Sequence, residues 1–135
     1  MSTCGRISLI GHDGRMHADA VAVLREVRDL LASFRTPSCI HRVDELEGVT
    51  DKITSCATEL PDADAEHLHQ RLASAVKAIQ KAEEAAQSHR RNRLTRPISQ
   101  ARFALHTGSA MGAIQVVLEE LDPSEIAYRD KLRDQ

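Results

Sequence analysis

Apolar residues recur along the chain at helical spacing over three long stretches. Met16, Ala20, Leu24, Val27, Leu31 and Phe34 advance in steps of three and four, which places them on one face of a helix. Pro37 closes that pattern. Ala65, Leu68, Leu72, Ala75, Ile79, Ala82 and Ala86 keep a beat of about 3.5 residues and predict a second helix from about Asp64 to Arg91. Pro97 suits the first turn of a third helix, which runs to about Leu121. Gly108 and Gly112 lie one turn apart within it, a spacing that lets a neighbouring backbone approach closely. Asp122-Pro123-Ser124-Glu125 then reads as the start of a short last helix, with Asp as cap, Pro at the first position and Glu at the third.

Two other stretches read as strands. Arg6–Gly11 alternates weakly and ends in Gly, a short strand running into the loop His12-Asp13-Gly14-Arg15. Residues 38–60 admit two readings. Ile40, Val43, Leu46, Ile53, Cys56 and Leu60 make a helical stripe. Yet 38–43 and 52–58 are rich in Ile, Val, Thr, Ser and Cys, which are poor helix formers and reasonable in strands. Asp44-Glu45-Leu46-Glu47-Gly48 between them is one helical turn ending in Gly. The preferred reading is strand, turn, strand. The element order then predicts an α/β fold, a small three-stranded parallel sheet with long helices. The alternative is an all-α helical bundle. The chain is expected to be a single domain over 1–135, with an α/β part at 1–92 and a helical part at 97–133.

Composition narrows the function classes. With 41% apolar and 28% charged residues, the chain has the balance of a globular domain rather than a disordered one. Phe34, Phe103 and Tyr128 are the only aromatics, too few for a base-stacking platform on single-stranded nucleic acid. No apolar run nears the ~20 residues that span a bilayer, and no signal peptide is expected. Cys4, Cys39 and Cys56 form no C-x-x-C pair, which points to buried thiols in a reducing compartment. The expectation is a soluble, cytoplasmic protein that makes no membrane contact. Charge is uneven. Residues 37–66 hold eight acids against Arg42 and Lys52, whereas 86–118 hold five arginines and no acid. Such asymmetry suits an acidic partner, a phosphate backbone or a second copy of the chain.

The stretch Gly11–Asp19 carries the most chemistry. In parallel α/β sheets ligands sit where a strand ends and a helix begins. His12, His17 and Asp19 offer imidazole nitrogens and a carboxylate, a set suited to Mn²⁺, Fe²⁺ or Zn²⁺. His17 and Asp19 converge only if the helix starts near or after His17. The bland reading is a polar loop with Asp13 capping the helix. His67 and His69 are two apart on a helix and face different directions. Glu66-x-x-His69 is half of a di-iron pattern whose other half is missing. The segment His89–Arg96 carries Arg90, Arg91, Arg93 and Arg96, which suit phosphate. Basic residues at a helix C-terminus also simply complement its dipole.

The string His12-x-Gly14-x-x-His17-x-Asp19, following Ile7–Gly11, resembles the first motif of the melanocyte-proliferating-gene (MYG) hydrolases, a branch of the DHH phosphoesterase superfamily. Arg42-Val43-Asp44, His67-Leu68-His69-Gln70-Arg71 and Ser109-Ala110-Met111-Gly112 are similar to later motifs of that family. The resemblance implies a Mn²⁺ site at His12, His17 and Asp19, with His69 as a fourth ligand. It also implies metal-assisted hydrolysis of a phosphodiester, steered by Arg90, Arg91, Arg93 and Arg96. The chain departs from the pattern in Ile53–Ala57, which lacks the family's bridging Asp, and at His67 and Leu68. A two-metal site needs those carboxylates, so the ligand set is incomplete and a non-catalytic relative stands beside an active one.

Two functions therefore follow from the sequence. One is a metal-binding domain similar to the first lobe of such a phosphoesterase or exonuclease. The other is a non-enzymatic helical protein that binds a protein partner or itself, its arginine patch also open to nucleic acid. Paired parallel strands at 38–58 favour the first, and a continuous helix there defeats it.

Overall fold

Helix occupies most of the described positions. The computed structural model describes residues 19–34, 36–60, 66–122 and 124–127. Helix α1 spans residues 19–32 and buries Ala20, Val21, Leu24, Val27 and Leu31 along one face, as its spacing predicts. It ends in a tightened turn, in which the Ser33 amide donates to the Asp29 and Leu30 carbonyls and the Phe34 amide to that of Leu31.

Residues 38–58 overturn the α/β expectation. They hold a 3-10 segment, Pro37–Leu46, and helix α2, Val49–Glu59. No strand, and so no three-stranded sheet, exists among the described residues. The reason is burial. Ile40, Val43, Leu46, Val49, Ile53, Cys56 and Leu60 all lie inside, a stripe in steps of three and four that only helical geometry brings to one side. That common burial outweighs a propensity deficit of a few tenths of a kcal/mol per residue, about the size that separates Thr, Val and Cys from good helix formers. The side chains that argued for strand are accommodated locally. Thr54 donates to the Thr50 carbonyl and Thr58 to that of Ser55. Gly48, at φ 81°, supplies the left-handed residue that separates the two segments.

Helices α3 (Glu66–Arg91) and α4 (Arg96–Leu121) have 26 residues each, about 39 Å at 1.5 Å per residue. A four-residue connection (92–95) folds them into an antiparallel hairpin. At one end His67 bonds Glu120, and at the other His89 faces Gln100 at 3.4 Å. The α3 side of the seam is mostly alanine: Ala75, Ala78, Ala82, Ala85 and Ala86 are buried. Phe103, Thr107, Ala110, Ile114, Val117 and Leu118 face inward from α4. One continuous apolar cluster runs from Ala20 to Leu118.

Polar contacts fasten α1 to both neighbours. The Cys56 thiol meets the Ala20 carbonyl at 3.9 Å, and Lys52 on α2 pairs with Glu26. Arg28, buried, pairs with Glu125 and donates to Gln115 Oε1 on α4. Phe34 packs edge-on against Phe103 at 5.7 Å. Asp122 caps the final turn by accepting from the Ser124 amide, as the start signal predicts. No described helix is long and apolar enough to cross a membrane.

Candidate interaction surface

The surface of α4 is unlike that of the other helices. Between Arg96 and Glu119 its sequence carries a single Asp, Glu, Lys or Arg residue, Arg102. A helix apolar all round is normally enclosed on all sides, yet α4 is covered on one side only. Its outward face presents Ile98, Ala101, Leu105, Gly108 and Gly112, all exposed. They advance in steps of three, four, three and four, the spacing of a helix-packing seam, over about 21 Å of helix. Ile98 is 55% and Leu105 63% exposed. Leu94, 92% exposed in the preceding turn, adds apolar surface at the same end. Single exposed leucines are ordinary. A row of apolar and small residues along one helix is not.

The two glycines sharpen the point. In a helix interior each costs about 0.8–1 kcal/mol relative to alanine. A side chain at Gly108 or Gly112 would meet nothing within 4 Å. The close backbone approach their spacing allows is therefore not made by α3, which packs on the opposite side of α4. Within the described chain the glycines have no packing function.

The arginines divide by what they touch. Arg96 donates to the His89 carbonyl at 3.1 Å and closes the end of α3. Arg90 reaches Asp44 at 3.5 Å. Arg91, Arg93 and Arg102 make no ion pair among the described residues. Arg91 and Arg102 line a groove of about 430 Å³ with Ile98 and Ser99, so positive charge flanks the N-terminal end of the apolar row. Glu119 and Glu120 stand at its other end, Glu120 bonded to His67. Beneath the arginines, burial pushes His89 below the ordinary imidazole range, and the nearby charges of Arg96, His41 and Arg90 push the same way. Its ring meets that of His41 at 5.5 Å.

The sequence-predicted metal ligands fall in different places. His12 and His17 lie outside the described residues. Asp19 starts the described part of α1, exposed, and lines a shallow groove with Asp51, Lys52 and Glu59. His69 lies half-buried near the start of α3. Among the described residues no group of three or more His, Cys, Asp or Glu is arranged to hold a metal ion. Cys56 is buried, as expected, and its thiol is pushed up to about 11 by that burial, with Glu59 adding to the effect; Cys39 is only half-buried, and Cys4 lies outside the described residues.

Ile98 and Leu105 were not singled out from the sequence as site residues. The signal was present: a long helix pattern with apolar residues on every side and one charge in its middle. Compared with known protein families, curated proteins and solved structures, the chain matches none.

Proposed function

We propose that the chain is a non-enzymatic helical interaction module that self-associates through the outward face of α4. The observation that carries this reading is the exposed row Ile98, Ala101, Leu105, Gly108 and Gly112, which runs beside exposed Arg102 and Ser109 and has no internal partner. Burying Leu105 in a contact recovers part of the about 1.5–3 kcal/mol available to a fully buried leucine. The glycines leave open notches that a partner's side chains can fill, so dispersion contacts add along the row.

The helical fold of 38–58 favours this reading over the phosphoesterase one, which needs strands there. The arginines fit it as well, since arginine is enriched at protein interfaces.

Sedimentation equilibrium of the full chain tests the reading. The wild type is expected to exceed its 14.9 kDa monomer mass as concentration rises. Leu105→Glu is expected to stay monomeric, because it would bury an unpaired carboxylate at the contact. Leu105 is mostly exposed in the monomer, so thermal unfolding of dilute protein should be unchanged within about 0.5 kcal/mol. A wild type that remains monomeric up to about millimolar concentration, the weak limit of specific binding near −4 kcal/mol, overturns the proposal.

A further inference from the structure

The contact surface of α4 is not symmetrical along its length, and the asymmetry specifies how a partner sits on it. The N-terminal half of the row carries the large side chains, Ile98 and Leu105; the C-terminal half carries the notches, Gly108 and Gly112. The charges are polarised in the same sense. Arg91 and Arg102 flank the N-terminal end, where they line one groove with Ile98. Glu119 and Glu120 follow the C-terminal end.

We infer that the occupant of this face is α4 of a second copy, paired antiparallel about a two-fold axis at Leu105. The inference rests on the self-association proposed above and adds its geometry. In that register Ile98 of each copy enters the notch at Gly112 of the other. Arg102 passes over Gly108, and the arginine-bearing end of each α4 lies over the half of the other that ends in Glu119. The same patch serves both copies, so the interface is isologous and closes at two. A parallel pairing would set Arg102 against Arg102 and Glu119 against Glu119. It would also set Ile98 against Ile98, so that no large side chain meets a glycine notch. Antiparallel pairing further sets the positive end of one helix dipole beside the negative end of the other.

Directed disulfide formation tests the register. The full chain carries Cys4→Ser and Cys39→Ser, with buried Cys56 retained. Ile98→Cys and Gly112→Cys are made separately in that background and oxidised with diamide, alone and as an equimolar mixture. A disulfide needs Cα atoms within about 7 Å, whereas residues 98 and 112 of one helix are about 21 Å apart. The expected result is a covalent dimer in the mixture, at least tenfold above either variant alone. Covalent dimer from Ile98→Cys alone indicates parallel pairing and overturns the inference while leaving self-association standing. No covalent dimer in any sample, with sedimentation still showing association, overturns the register and orientation. Monomer in sedimentation removes both proposals.

Discussion

Glu125 should be the most sensitive polar residue outside the apolar core. Its carboxylate pairs with Arg28, and both side chains are over nine-tenths buried. It also accepts from Arg25 Nε at 2.6 Å, and its main-chain carbonyl accepts from Gln115 at 3.0 Å. Glu125→Ala would strand the Arg28 guanidinium inside. Removing one partner of a buried pair costs about 3–5 kcal/mol. Arg28 keeps Asp29 at 3.0 Å and Gln115 at 3.1 Å, which places the loss near the lower end, about 3 kcal/mol. The Arg25 contact adds little, because its side chain is 39% exposed and exposed pairs contribute at most about 1 kcal/mol. With a urea slope of about 2 kcal/mol/M, the unfolding midpoint should fall by about 1.5 M. Arg28→Met with Glu125→Leu replaces the pair by apolar bulk and should recover most of that loss, since such exchanges are often neutral. The reasoning fails if Glu125→Ala moves the midpoint by less than about 0.3 M, well under the expected effect. It fails equally if the double variant is less stable than Glu125→Ala.

Three further predictions follow from the same geometry. Gly108→Ala with Gly112→Ala should stabilise the monomer by about 1.5–2 kcal/mol through helix propensity while weakening self-association; dilute thermal unfolding and sedimentation read the two effects, and equal or stronger association would contradict the role given to the notches. His89 is held below the ordinary imidazole range in the folded chain, so between its unfolded value near 6.5 and its lower folded value the unfolded chain binds a proton that the folded chain does not. Its contribution to stability is therefore present above about pH 6.5 and lost as pH falls toward the folded value; urea unfolding at pH 7 and 5.5 should show a smaller drop in His89→Gln, and equal drops would refute the assignment. The Mn²⁺ site that the first motif's resemblance implies is tested by calorimetric titration of chelator-stripped protein: heat abolished by Asp19→Ala would place a ligand there, and heat unchanged by it would not.

The long helices were legible because their apolar periodicity agrees with their burial. The buried beat of Leu68, Leu72, Ala75, Ile79 and Ala82 is the beat read from the sequence. Pro97 lies at the start of α4 as its fixed φ suggests. Residues 38–60 were misread because propensity and periodicity disagreed there. Thr50, Thr54, Ser55 and Thr58 favour strand locally, but the seven buried positions from Ile40 to Leu60 are common to one side only in a helix. Tertiary burial won, and Val49, which completes the stripe between Leu46 and Ile53, was the position missing from the reading. The spacing of Gly108 and Gly112 was legible as a site of close approach. Which neighbour would approach was not, because periodicity alone does not say which face of an apolar helix the rest of the chain covers. The histidine motif at His12 and His17 falls outside the described residues.

The central claim is that the outward face of α4 is a contact surface, and the methyl groups of that face report on it directly. A soluble nitroxide broadens the NMR signals of methyl groups it can reach. In dilute protein the methyls of Ile98, Leu105 and Ile126, all exposed in the monomer, should broaden alike. At high protein concentration Ile98 and Leu105 should be protected while Ile126 remains broadened. Equal broadening of all three at both concentrations would contradict the account.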